Sequence, residues 1–293
     1  MNKHTQIIFV GMSKNCFSTL EKNLKFLEGF KQNSKTIVKI CIVDSDSTDG
    51  TKDYCRALIK KNNIDYFLEI DNLEEQYDSR IQRLSICRNK ALEVINKIMT
   101  QSVIYIPMDM DIDLFKRTDI KNFQKIIDQF SENTGLDAIF PFSTPFYYDI
   151  FALRKKGWVN KNNLLIARKL KDKLKLFSFL INYIYIFRKQ LSPSNFDENL
   201  ISVESAFGGI GMYKIDKFNI ENLKYTFDTN SINYVTEHLS FNNSFNNLFI
   251  LKNWNIDAPK EYIFWNLYNP YEKLIYVIKS IKNDLKGLAR STS

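Results

Sequence analysis

Histidine occurs only twice in the 293 residues, cysteine four times, proline six times and glycine nine times. Such scarcity of glycine and proline excludes collagen-like and low-complexity architectures, while 44% hydrophobic and 25% charged residues exclude wholesale disorder. The cysteines, Cys16, Cys41, Cys55 and Cys87, form no CxxC pair and none follows residue 87. Neither a zinc knuckle nor a disulfide framework is expected, and a reducing cytosol is the expected home. Long apolar runs are missing too: the greasiest, Leu176 to Phe187 (LFSFLINYIYIF), has about 12 residues against the ~20 that a spanning helix needs. At the N-terminus, apolar Ile7–Val10 gives way to polar residues by Ser13, so no secretion signal is expected.

Basic charge is abundant. The net charge is +8, and residues 151–190 hold eleven Lys and Arg against a single acid, Asp172. A basic stretch running into an aromatic and aliphatic one suits anionic lipid headgroups or a negatively charged acceptor, and equally a solvated helix face. Towards the C-terminus, Lys273, Lys279, Lys282, Lys286 and Arg290 interleave at helical spacing with Leu274, Ile275, Val277, Ile278, Ile281, Leu285 and Leu288. No nucleic-acid-binding module accompanies this charge, so no nucleic-acid partner is expected.

Periodicity predicts an alternating α/β chain. Strands are expected at Ile7–Val10, Ile37–Val43, Ile64–Ile70, Val103–Met108 and Ala138–Phe142. Helices are expected at Ser18–Phe30, Thr51–Asn62, Ser79–Met99 and Ile120–Phe130. Such alternation builds an open sheet whose ligands bind outside the carboxyl ends of the strands. Two acidic loops leave such ends, at 44–49 (Asp-Ser-Asp-Ser-Thr-Asp) and at 109–113 (Asp-Met-Asp-Ile-Asp). Both should face one site. After about residue 145 the alternation breaks down.

Three aspartates at 109, 111 and 113 directly after an apolar strand need a cation, a donor cluster or solvent, since burying an unpaired carboxylate costs several kcal/mol. Carboxylate oxygens suit Mg²⁺ and Mn²⁺, and a bound diphosphate would complete the shell. A calcium loop starting at Asp109 would require Gly and Glu where Leu114 and Ile120 stand. The aspartyl phosphatase pattern would require Thr or Val where Asp113 stands. Gly208, Gly209 and Gly211 lack the spacing of a dinucleotide or phosphate loop.

Together these residues carry a resemblance. Asp44-Ser45-Asp46-Ser47-Thr48-Asp49-Gly50-Thr51 resembles the D-x-x-S-T-D-G-T loop of GT-A fold nucleotide-sugar glycosyltransferases, and Met108-Asp109-Met110-Asp111-Ile112 resembles their DxD motif. Arg80-Ile81-Gln82-Arg83-Leu84 with Arg88-Asn89-Lys90-Ala91-Leu92 is similar to the R-N-x-A-L helix of families related to capsule and cell-wall mannosyltransferases. Ser205 to Tyr213 resembles the glycine-rich segment that shapes the acceptor and sugar pocket, and Glu237-His238 the downstream acidic-His element. No ED or QxxRW element of processive synthases is present, and the first loop has Ser45 and Asp46 where many relatives carry Asp and Gly.

The resemblance implies an open mixed sheet flanked by helices, with basic helical additions. One catalytic domain is expected over 1–255, its nucleotide-binding half at 1–115 and its acceptor half at 116–255, including the basic insertion 151–190; a basic amphipathic helical extension is expected over 256–293. It implies a metal-dependent sugar transfer from a UDP- or GDP-sugar to a glycan or lipid-linked acceptor in surface polysaccharide or glycoconjugate synthesis, with peripheral contact at the inner face of a membrane. Asp111, Asp109 and His238 would hold Mn²⁺ or Mg²⁺, with Asp113 in reserve. Asp44, Asp46, Asp49, Arg83, Arg88, Asn89, Asp109, Gly208 and Gly209 would meet the nucleotide sugar, Arg83 or Arg88 pairing with the diphosphate or the acidic loops. Glu237 would be the general base of an inverting reaction or a sugar-binding carboxylate of a retaining one, with Glu204 and Asp197 as rivals. A sugar-nucleotide pyrophosphorylase and a non-catalytic basic adaptor of the same fold are the alternatives.

Overall fold

The computed structural model describes residues 6–263 apart from 101, 161–162, 174–176, 218 and 228–235, together with 274–275 and 277–282. The first half alternates as its periodicity predicts: β1 (Gln6–Ser13), α1 (Phe17–Asn33), β2 (Ile37–Ser45), α2 (Thr51–Lys60), β3 (Tyr66–Ile70), a short α3 (Leu73–Gln76), α4 (Arg80–Ile98), β4 (Val103–Asp109), α5 (Ile120–Glu132) and β5 (Ala138–Thr144). Beyond β5 come α6 (Asn163–Lys173), α7 (Ser178–Tyr185), β6 (Leu200–Val203), β7 (Met212–Ile215), α8 (Glu237–Asn242) and β8 (Leu248–Asp257). They form one eight-stranded sheet in the order β3-β2-β1-β4-β7-β5-β8-β6. Strands β1 to β4 pair in parallel, β7 runs antiparallel between β4 and β5, and β6 closes the far edge antiparallel to β8. This is the open mixed sheet flanked by helices that the resemblance implies.

Every residue of β1 is buried, as expected for a central parallel strand covered on both faces. Its alternate side chains feed two cores. Ile8, Val10 and Met12 pack with Cys87, Ala91, Leu92 and Ile95 of α4, whereas Ile7 and Phe9 pack with Leu20, Leu24, Leu27 and Phe30 of α1 and with Phe123 and Ile127 of α5. All four cysteines are buried and free. Burial pushes the thiols of Cys16, Cys41 and Cys55 up to about 12 and that of Cys87 up to about 11, so they act as small hydrophobes.

One expected boundary moves. The boundary at 255/256 falls inside β8, and Ile256, Ala258 and Ile263 beyond it are buried. Asp257 also pairs with Lys116 and Arg117. The catalytic fold therefore continues to at least residue 263. Of the amphipathic extension, residues 277–282 are helical, while 264–273, 276 and 283–293 lie outside the described residues. Among the described residues no helix is long and apolar enough to cross a membrane.

Candidate active site

Strand order reverses at β1, which has β2 on one side and β4 on the other. Loops leaving the two neighbours part there, which opens a crevice at the carboxyl ends. Ser13 stands beside Asp44 of β2, and Met12 beside Asp109 of β4. The two acidic loops thus flank the tip of one strand, as their sequence positions predict. Between them lies a groove of about 230 Å³, lined on one side by Ser13, Lys14 and Ser45 and on the other by Arg80, Arg83, Asp109 and Asp111, with Glu74 at its rim.

The 44–49 loop builds the wall of this groove. Asp44 is fully buried: one carboxylate oxygen accepts from the hydroxyls of Ser13 (2.8 Å) and Ser47 (2.6 Å), the other from the amide of Ser47 (3.2 Å). Asp46 has a left-handed backbone (φ 57°) and accepts the Glu74 amide at 3.1 Å. Asp49 accepts the amides of Phe17 and Thr51 and the Thr51 hydroxyl, tying the starts of α1 and α2 together. None of the three lines the groove.

At the second loop, Met110 is wholly buried across Gly11, where any added Cβ would stand 2.6 Å from the Met110 sulfur. Its amide donates to Met12 at 2.9 Å, and the Asp109 amide donates to Gly209 at 2.8 Å. Pinning the intervening residue from both sides leaves Asp109 and Asp111 to reach the groove. Gly208 and Gly209 have φ values of 75° and 89°, which only glycine adopts without strain, and a Cβ on Gly209 would stand 2.9 Å from Ile112 and 3.1 Å from the Tyr148 hydroxyl. Asp149 fastens the bend by accepting the Gly208 amide at 2.9 Å.

Arg88 lies behind Asp109, 1% exposed. Its Nη2 donates to Asp109 at 2.7 Å and its Nε to Glu237 at 3.4 Å, while the guanidinium sits over the rings of Phe207 and Tyr225. Burial works against its charge, but the two carboxylates outweigh burial and hold its pKa above the usual arginine range. Glu237 is itself buried, and dehydration, partly offset by Arg88, raises its carboxyl. Asn89 spends its amide on both main-chain groups of Tyr225 (2.8 and 2.9 Å). Arg83 donates to the carbonyls of Tyr77 (2.6 Å) and Asp78 (3.1 Å).

Of the residues expected at the donor, Asp109, Asp111 and Arg83 line the groove, whereas Asp44, Asp46, Asp49, Arg88, Asn89, Gly208, Gly209 and Glu237 do not. His238 does not line the groove; its Nε2 lies 3.8 Å from Glu237. It is buried, stacked on Phe207 at 3.5 Å, and both ring nitrogens lack hydrogen-bond partners. Burial, and then Arg88, depress its pKa well below the usual value, so it is neutral. Among the described residues no three His, Cys, Asp or Glu side chains form a metal-holding group. Of the three expected ligands, Asp109 and Asp111 line the groove and His238 does not. Asp113 faces Lys22 at 3.6 Å, and Glu204 and Asp197 do not line the groove.

The donor chemistry of the remaining pair fits a hard cation. Asp111 sits at the mouth, open to solvent on one side and hemmed in on the other. Lost hydration and the neighbouring Asp109 charge push its carboxyl up to about 6. A divalent ion on both groups would relieve that strain, with a diphosphate completing its shell. Two cations escaped the sequence-based selection. Lys14 lies just beyond the tip of β1, and Arg80 lies one turn before Arg83 at the start of α4. Both sit in the groove, Lys14 paired with Glu74. The strand-tip rule finds Lys14, and the i, i+3 spacing from Arg83 finds Arg80.

Comparison with known proteins bears on the family. No curated protein matches the sequence. In structure the chain is similar to mannosyl-3-phosphoglycerate synthase from Rubrobacter xylanophilus (12% identity, TM-score 0.40, covering 98% of this chain and 75% of that one). It is also similar to the mannosyltransferase PcManGT from Pyrobaculum calidifontis, solved with GDP-Man and Mn²⁺ (12%, 0.48, 90% and 60%). A third is glucosyl-3-phosphoglycerate synthase from Mycobacterium tuberculosis, solved with Mn²⁺, UDP and glucosyl-3-phosphoglycerate (12%, 0.44, 96% and 78%). The model of one sequence family, Cryptococcal mannosyltransferase 1, matches residues 16–245, a span that holds both acidic loops, α4, the glycine bend and Glu237. The groove thus lies wholly within elements that this family's model covers or adjoins, and the chain belongs to the Cryptococcal mannosyltransferase 1 family of glycosyltransferases.

Proposed function

We propose that the chain is a divalent-cation-dependent transferase that moves a mannosyl or related hexosyl unit from a GDP- or UDP-sugar to a glycan or lipid-linked acceptor, in surface polysaccharide or glycoconjugate synthesis at the cytoplasmic face of a membrane. The observation that supports it is the sharing of one strand-tip groove by two carboxylates, Asp109 and Asp111, and two cations, Lys14 and Arg80. A nucleoside diphosphate needs such a mixture. Cleavage of the bond between the anomeric carbon and the phosphate oxygen leaves negative charge on the departing diphosphate, and preorganised positive groups lower that barrier.

Lys14 and Arg80 bind the diphosphate and take up its developing charge. Asp111 and Asp109 would hold the cation, which would supply positive charge against the departing diphosphate. Arg88 fixes the rotamer of Asp109 and leaves its second oxygen free, and Glu237 anchors Arg88 from behind. In this reading Glu237 acts through Arg88 and positions rather than taking the acceptor's proton. Asn89 holds the main chain of Tyr225, and Arg83 that of Tyr77 and Asp78. Gly208 and Gly209 bring the acceptor side within hydrogen-bonding distance of Asp109.

A thermal-shift panel of UDP-, GDP- and CMP-sugars with and without Mn²⁺ tests this. A donor at a hundredfold its Kd adds about 2.7 kcal/mol to stability. The expected result is a rise in Tm with a GDP- or UDP-sugar only when Mn²⁺ is present, abolished in Asp111→Ala and weakened in Arg80→Ala. Stabilisation by CMP-sugars alone, without metal, would overturn it.

A further inference from the structure

The basic insertion forms a surface of its own, sharing no residue with the strand-tip groove. Helix α7 is apolar nearly all round (SFLINYIY), a composition that normally means burial on every side. Only its inner face is covered. Ile181 packs into the core with Ile186 and Phe187, while Phe177, Leu180 and Ile184 are 53%, 49% and 41% exposed. Their spacing of three and four residues puts them on one face. Among the described residues nine large hydrophobics are exposed, and three of them fall within this one stretch.

Exposed cations lie on the same segment. Arg188 follows α7 and is exposed, as are Lys169 and Lys173 on α6, which packs beside it, and Lys156 on the preceding turn. Next to Ile184 opens a cavity of about 590 Å³ lined by Trp158, Asn163, Tyr185, Arg188 and Lys189. An exposed apolar stripe on a strongly basic segment defines the partner's chemistry. A second copy of the chain would bring two strongly basic faces together, and like charges oppose each other. A polyanion in water, such as nucleic acid, would use the charge and leave the stripe exposed. An anionic bilayer satisfies both, since its acyl region takes the apolar side chains and its phosphates the cations.

We infer that helices α6 and α7 form the docking surface for an anionic phospholipid bilayer, with Phe177, Leu180 and Ile184 entering the interface and Arg188 with the lysines of the segment facing the headgroups, one of which the cavity beside Ile184 receives. The inference deepens the proposed membrane-face activity and rests on that part of it.

Co-flotation of the full chain with vesicles of phosphatidylcholine alone and of phosphatidylcholine with phosphatidylserine tests it. Strong partition onto the anionic vesicles alone is expected. Phe177→Asp/Leu180→Asp/Ile184→Asp should reduce binding at least tenfold, and Arg188→Glu should reduce it at least fivefold, a cation near the surface being worth about fivefold. All four side chains are exposed, so both variants should retain the wild-type circular dichroism spectrum. Equal partition onto neutral and anionic vesicles, or unchanged binding by both variants, would overturn the inference. So would a wild-type dimer in sedimentation equilibrium that the triple variant converts to monomer, since the stripe would then belong to a second copy. Donor-dependent thermal stabilisation of the wild-type chain separates the two proposals: donor stabilisation without vesicle binding sinks only the surface, and vesicle binding without donor stabilisation sinks only the transferase reading.

Discussion

Asp111 ionises against both its own dehydration and the charge of Asp109, whereas Asp109 has Arg88 to share its charge. The fold therefore favours the acid form of Asp111, whose pKa rises from 3.8 to about 6. Such a contribution to stability is fully present below about pH 4 and is lost as pH rises through about 6. Asp111→Asn should accordingly stabilise the metal-free protein at pH 7 by about 1 kcal/mol, once solvent screening of this exposed group is allowed for. It should also flatten the decline in urea midpoint between about pH 4 and pH 6, and lower sugar transfer on the order of a hundredfold or more. A variant less stable than the parent at pH 7 would show that Asp111 is already compensated. Arg88 is the opposite case. Arg88→Ala would leave the carboxylates of Asp109 and Glu237 without their shared cation, at a cost of about 3–5 kcal/mol in urea unfolding. A cost below about 1 kcal/mol would mean that water reaches both groups.

Helix α4 shows how an element distributes roles among its side chains. Ser79 caps it by accepting the Gln82 amide, and one stripe of the helix carries Arg80, Arg83, Leu84 and Cys87 into the groove while Arg88 turns beneath it. The helix and its arginines were legible in sequence because amphipathic spacing is local. Which arginine faces the groove was not, because that depends on where Tyr77, Asp78 and Asp109 come to lie. The glycine bend is the second such element. Gly209→Ala would force a side chain onto φ 89° and against Ile112 and Tyr148, at a cost of about 1–3 kcal/mol, and would displace the carbonyl that holds the Asp109 amide. Equilibrium unfolding measures the first effect, and the midpoint of Mn²⁺-dependent donor stabilisation the second. An unchanged midpoint would detach the bend from the site.

Across the whole molecule the second half of the sheet completes the first. Strand β7 enters antiparallel between β4 and β5, and β8 joins β5 to β6 although it lies far along the chain. A chain ended after residue 255 loses the Ile256–Asp257 end of the β5 pairing, the buried Ile256, Ala258 and Ile263, and the partner of Lys116 and Arg117. It should unfold at a markedly lower denaturant concentration than a chain ended after residue 263, as circular dichroism would show. Equal midpoints would restore the boundary expected from sequence.

Strands and helices up to β5, and the convergence of the two acidic loops, were determined by sequence alone. Hydrophobic period and loop chemistry act over a few residues, and parallel strands necessarily present their carboxyl ends together. Tertiary structure decided which of those residues remain available. Asp44 turned inward onto Ser13 and Ser47, Glu237 turned onto Arg88, and His238 went under Phe207, while Lys14 and Arg80 were left in the groove. The reason is physical: a buried charge must find its partner wherever the fold brings one, and Arg88 meets Glu237 across 149 residues of chain, a separation at which no local pattern remains.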